Sequence, residues 1–146
     1  MTPVFVDTNV LVYSRDVAVV EKQERARAWM ARLWKDGLGR LSTQVLQEFY
    51  VTATTKIESR LSPSAARAEI RGLVPWKPVR SDHRLFDDAW DIEDRYGFSF
   101  RDSMIVAAAR HAGCEVLLTE DLQDGQVIDG LTVVNPFRQS PESILG

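Results

Sequence analysis

Four acidic residues sit where an unpaired carboxylate is expensive. In VFVDTNVLV, residues 4–12, Asp7 interrupts one apolar run just before another begins. Glu48 lies in TQVLQEFYVTATTKI, three residues after Val45 and three before Val51. In RDSMIVAAARHAG, Asp102 has Ile105, Val106 and Ala109 at helical spacing, which puts it at the head of an apolar stripe. Asp121 follows the apolar segment EVLLT by two residues. Burying such groups without partners costs several kcal/mol by transfer arguments. Each acid also has a purely structural explanation. Asp7 can cap a helix, Asp102 can favour the positive end of its helix, Glu48 can pair with an arginine, and Asp121 can be a loop residue beside Glu120 and Asp124.

If the four converge, their repulsion must be relieved. Like charges about 4 Å apart repel by ~4 kcal/mol at a surface-like dielectric. Either some carboxylates hold protons or a cation sits among them. An oxygen-only donor set favours a hard divalent ion, Mg²⁺ or Mn²⁺. No His or Cys accompanies the acids at zinc-like spacing, and His83 and His111 read as surface or cap residues. A carboxylate-held Mg²⁺ suits phosphate chemistry: it polarises a phosphoryl oxygen and acidifies water. Thr8 and Asn9, next to Asp7, are then placed to orient carboxylates.

The elements that must position these groups alternate along the chain. A strand over 3–7 leads into a helix starting at Thr8 or Asn9. A helix over 19–36 carries Ala26, Met30, Leu33 and Trp34 along one side and closes at Gly37 and Gly39. A brief strand at 39–42 precedes a helix over 43–57. Ser62-Pro63 starts a helix that runs to about Gly72. Residues 77–80 form a weak extended piece, and Asp82 caps a helix continuing to Gly97. A helix over 101–112, stopped by Gly113, precedes a strand over 115–119. A loop over 120–126 and a strand over 131–134 follow, and residues 139–146 read as a loosely held tail. This alternation predicts an α/β fold with a parallel sheet covered on both faces. Asp7 and Asp121 then fall at the carboxyl ends of strands, where such sheets bind ligands.

Composition narrows the class. The 146 residues, 45% apolar and 27% charged, suit one soluble domain. A net charge of −3 argues against a broadly basic nucleic-acid-coating surface, although 14 of the 18 cations are Arg, whose planar fork suits phosphate. The one cysteine, Cys114, reads as a small buried hydrophobe. There is neither a signal peptide nor a membrane span, so the expected location is the cytoplasm.

VFVDTNVLVY, Glu48 after STQVLQ, SFRDSMIVAAARHAGCEVLLTED and the closing LTVVNPF together resemble a PIN domain. The resemblance covers essentially the whole chain, taken as one domain, and is closest to the VapC-type toxins of bacterial type II toxin–antitoxin pairs. It implies a three-layer α/β/α sandwich around a central, mainly parallel sheet, and an Mg²⁺- or Mn²⁺-dependent endoribonuclease. The family's four acids fall on Asp7, Glu48, Asp102 and Asp121, with Thr119 as the hydroxyl partner of the last and Thr8 and Asn9 supporting the first. By that resemblance Asp7, Glu48 and Asp102 hold the main ion, Asp121 completes the site, and water activated there attacks phosphorus in line. Asp124 stays open as an outer ligand. Arg101 is a candidate for gripping RNA, with a salt bridge to a neighbouring acid as its alternative; Trp76, Phe98 and Phe100 are candidates for stacking, with core packing as theirs. The implied partners are RNA and a small antitoxin protein. Trp29 and Trp34 lie on different sides of their helix, so one of them is a candidate for a partner groove or a homodimer seam.

Two other enzyme or binding classes compete. A haloacid-dehalogenase-like Mg²⁺ phosphatase also opens on a strand ending in Asp, but it needs a second Asp where this chain has Asn9. A non-catalytic RNA- or protein-binding module would keep the sheet without needing the ion.

Overall fold

A computed structural model describes residues 2–146. Its sheet has five strands in the order β2-β1-β3-β5-β4. These are β1 (Val4–Val6), β2 (Gly39–Arg40), β3 (Val116–Leu118), β4 (Val127–Ile128) and β5 (Leu131–Val134). The helices among the described residues are α1 (Thr8–Arg15), α2 (Val20–Asp36), α3 (Thr43–Thr55), α4 (Pro63–Gly72), α5 (Phe86–Tyr96), α6 (Phe100–His111) and α7 (Pro141–Leu145). All pairings are parallel except β4 with β5. This is the α/β arrangement around a mainly parallel sheet that the alternation of elements predicts.

The central strands are continuous apolar runs because both of their faces are covered. Val4, Phe5 and Val6 are wholly buried, as are Leu117 and Leu118 on the neighbouring strand. Phe5 pairs with Leu117 and Val6 with Leu118. From β1 the chain moves outward to β2, then returns past β1 to β3. With right-handed crossovers, the helices of the two excursions fall on opposite faces of the sheet. The strand order therefore reverses between β1 and β3, and a crevice opens at their carboxyl ends.

Most helix ends follow local chemistry. Asp7, Ser42, Ser62, Ser99 and Ser140 cap α1, α3, α4, α6 and α7 through their side-chain oxygens, and Gly37 ends α2 with a left-handed φ of 67°. Asp82 caps a 3-10 turn, His83–Leu85, which runs into α5. The extended piece at 77–80 reduces to one bridge, Val79 to Ser42.

Two expectations are corrected, and a strand appears at a stretch that had no assigned element. Residues 127–128 form an edge strand, hairpinned to β5 through Asp129 and Gly130, both with positive φ. The side of α2 that enters the core carries Trp29, fully buried, whereas Trp34 is 45% exposed and leans on Trp76 with ring centroids 5.1 Å apart. The chain end is not loose. The Trp29 indole donates to the Gln139 carbonyl at 2.9 Å, Pro141 is buried, and α7 packs on α2. Cys114 is buried as expected, and burial pushes its thiol up to about 12. No helix among the described residues is long and apolar enough to cross a membrane.

Candidate active site

The end of β1 places Asp7 at the reversal of the sheet. Its backbone N–H donates to the Leu118 carbonyl of β3 at 3.0 Å, so the two strand ends are stitched together where the acids emerge. The residue is 1% exposed and each carboxylate oxygen is engaged. Oδ1 accepts from the Thr8 N–H at 2.7 Å, and Oδ2 accepts from the Thr119 hydroxyl at 2.8 Å. Asp7 is therefore a helix cap and a member of the cluster at once.

The loop after β3 brings in Asp121. Thr119 Oγ1 accepts from the Asp121 N–H at 3.1 Å, so one hydroxyl orders both the first and the last acid. The Asn9 amide reaches Asp7 Oδ2 (3.4 Å), Thr119 Oγ1 (3.2 Å) and Asp121 Oδ2 (3.3 Å). From α3 comes Glu48, whose Oε1 accepts from Thr8 Oγ1 at 2.6 Å. Asp102 stands in the first turn of α6, which Ser99 caps by accepting from the Asp102 N–H at 3.1 Å. Asp124 turns away: its carboxylate takes the Asn135 N–H and the Gln139 amide, and so fastens the loop to the segment after β5.

The four acids meet around Arg101. Its guanidinium lies 2.9 Å from Asp7 Oδ1, 2.7 Å from Glu48 Oε1, 2.9 Å from Asp102 Oδ1 and 3.6 Å from Asp121 Oδ2. With Glu48 it forms a two-pronged fork, Nε donating to Oε2 at 3.1 Å and Nη2 to Oε1. It donates to the Thr8 hydroxyl as well, at 3.2 Å. Of the two roles open to Arg101, gripping RNA or pairing with a neighbouring acid, the side chain adopts the second and is turned inward. Arg101 sits next to Asp102 in the chain, but nothing local in the sequence shows its direction.

The electrostatics follow from this crowding. Burial pushes the Glu48 carboxyl up, but the hydrogen bonds and charge of Arg101, with the Thr8 hydroxyl, outweigh it and leave the group below its ordinary range. Asp121 moves the other way, raised by burial and then by the charge of Asp7, with Arg101 compensating only in part. Burial works against the Arg101 charge, yet Glu48 and Asp7 hold it firmly protonated. Four carboxylates against one guanidinium leave an excess of negative charge.

The donor chemistry suits a hard divalent ion. Every candidate ligand is an oxygen, and Asn9 Oδ1 is buried without a hydrogen-bond partner beside Asp7 and Asp121. The acids, however, are gathered around the guanidinium. Among the described residues no three His, Cys, Asp or Glu side chains form a ready cage for a metal. A cleft of about 660 Å³ opens beside the cluster between α1 and α3. Its lining includes Glu48, Arg101 and Asp121, the largely apolar Val12, Tyr13, Val51 and Ile57, and Lys56.

The aromatic candidates separate. Trp76 is core, and Phe98 stacks on Tyr96 at 5.4 Å. Phe100 alone stays substantially exposed, edge-on to Phe86.

A strand end, a loop and two helices thus gather four acids at the strand-order reversal of a mainly parallel sheet, the place where open α/β sheets bind ligands. The PIN domain family model matches residues 4–124, and the chain belongs to that family. Solved structures share the fold. A toxin–antitoxin complex from Klebsiella pneumoniae is 20% identical with a TM-score of 0.62, over 92% of this chain and 98% of that one. VapC20 of Mycobacterium tuberculosis, described as a toxin cleaving the sarcin–ricin loop, is 22% identical with a TM-score of 0.61, over 78% and 86%. DNA-bound VapBC from Salmonella typhimurium is 20% identical with a TM-score of 0.61, over 91% and 97%. No curated protein matches by sequence.

Proposed function

We propose that this chain is a single PIN unit acting as an endoribonuclease that depends on Mg²⁺ or Mn²⁺ and serves as the toxin of a toxin–antitoxin pair. The observation that carries the reading is the convergence of Asp7, Glu48, Asp102 and Asp121 on one point at the sheet's reversal. Family membership and the fold shared with a toxin that cleaves the sarcin–ricin loop support it. Solved structures of such complexes support an antitoxin partner, with a cytoplasmic location and a homodimer as further points to test.

The four carboxylates are the groups that would hold the ion, which supplies Lewis acidity toward the phosphodiester and acidity to water. The chain's own residues do the positioning. Thr119 and the Thr8 N–H fix Asp7, the Thr8 hydroxyl fixes Glu48, and Asn9 ties Asp7 to Asp121. No serine, cysteine or histidine lies among these contacts, which fits water as the attacking group. The cleft beside the acids gives a single strand an apolar wall, with Tyr13 for a base and Lys56 for a phosphate.

Purified protein with Mg²⁺ or Mn²⁺ is expected to cut RNA, and EDTA, Asp7→Asn or Asp102→Asn to reduce cleavage by at least about 100-fold, the scale of losing a charged group from a phosphoryl-transfer site. Equal cleavage by the wild type and Asp102→Asn would overturn the assignment. RNA binding that persists with no cleavage under any divalent ion would favour the non-catalytic module.

A further inference from the structure

We propose that Arg101 is a resident counter-cation which a divalent ion must displace, so that this one side chain sets the metal affinity of the site. The inference rests on the metal-dependent reading above and deepens it. Arg101 touches all four carboxylates that would hold the ion, at 2.7–3.6 Å. A guanidinium and a divalent ion solve the same electrostatic problem, the repulsion of crowded carboxylates. On the oxygens that Arg101 already holds they compete, because two cations on the same oxygens repel each other.

The geometry shows which occupant the acids are arranged for. They are spread around a planar fork, with Glu48 taking two parallel N–H donors and Asp7 spanned by both terminal nitrogens. No three of them are spaced as a metal cage. Loading a metal therefore requires the fork to leave and the carboxylates to draw in. The apparent affinity is then the intrinsic affinity reduced by the fraction of molecules with Arg101 withdrawn. The side chain has somewhere to go. It is one-third exposed and already forms part of the cleft wall. The same contacts let the acid cluster fold without a metal.

The test is Mn²⁺ binding, followed by electron paramagnetic resonance of free Mn²⁺, for the wild type, Arg101→Gln and Arg101→Lys. Removing the charge should tighten Mn²⁺ binding by roughly tenfold or more, a usual size for coupling between two competing occupants. The lysine variant, a cation without the fork, should fall between. Folding of each variant is checked by near-ultraviolet circular dichroism. A second measurement needs only the wild type: the ¹⁵N–¹H signal of Arg101 Nε, held by Glu48 without metal, should shift and lose exchange protection when Mg²⁺ is added. Folded Arg101→Gln that binds Mn²⁺ no more tightly than wild type, or an Arg101 Nε signal unmoved at saturating Mg²⁺, overturns the proposal and leaves the metal-dependent nuclease standing. Absence of Mn²⁺ binding in every protein, wild type included, overturns both.

Discussion

Glu48 and Asp121 face the same guanidinium and respond in opposite senses. Glu48 is held below its ordinary value of 4.5. Its ionised form therefore stabilises the fold above about that pH, and the contribution is lost as pH falls through the lower folded value. Asp121 is raised above 3.8. It favours the folded state only when protonated, and that contribution is lost as pH rises through the raised folded value, so at neutral pH its charge is a burden. In metal-free buffer at pH 7, Glu48→Gln should lower stability by roughly 1–3 kcal/mol, the range for a charge-assisted hydrogen bond left unpaired. Asp121→Asn should raise the melting temperature under the same conditions. Thermal melts of both variants in EDTA check the pair, and a matching decrease in the two would refute this account of the cluster. All four acids could be picked out of the sequence because apolar neighbours made them conspicuous. Arg101 could be named but not aimed, because a long side chain's direction depends on what lies opposite it, and its partners Asp7 and Glu48 are 94 and 53 residues away.

At the level of elements, close approach decides what is tolerated. A Cβ added at Gly39 would lie 2.5 Å from the Trp76 ring. That ring is itself wedged against Trp34. Gly39→Ala should therefore destabilise by ~1–3 kcal/mol, as overpacking usually does, and denaturant melts measure it. Ending the chain after Gln139 removes α7, with its buried Pro141 and the Gly146 carbonyl that accepts from Arg32 at 2.8 Å. The expected loss is about 1–3 kcal/mol, the worth of an apolar side chain or two returned to water. An unchanged melting curve would mean that the terminal helix is not held as described. The sequence could not show this segment as docked, because its anchor is an indole 110 residues earlier. The misreading of α2 has a similar cause. Ala26, Met30 and Leu33 define a stripe that Trp29 and Trp34 both flank, and helical period alone does not say which indole the sheet will cover. The hairpin was closer to hand, since Asp129-Gly130 is a strong local turn signal.

For the whole molecule, the crowded acids couple stability to cations. An ion that binds only the folded state should raise stability by about 2.7 kcal/mol at a hundredfold excess over its Kd, and melts across an Mn²⁺ titration should follow that logarithmic rise. A midpoint that does not move with saturating Mn²⁺ would exclude a folded-state site.

The sequence by itself determined the buried strands, most helix caps and which acids stand out as candidates. Each of these is written within a few residues, as an apolar run, a capping hydroxyl or a carboxylate out of place. Only the tertiary structure decided that Arg101 stands among the carboxylates, that Trp29 enters the core instead of Trp34, and that the chain end is docked. Those outcomes depend on which surfaces meet across β1, β3 and the helices that cover them. Contacts of that range leave no period or cap in the chain to be read.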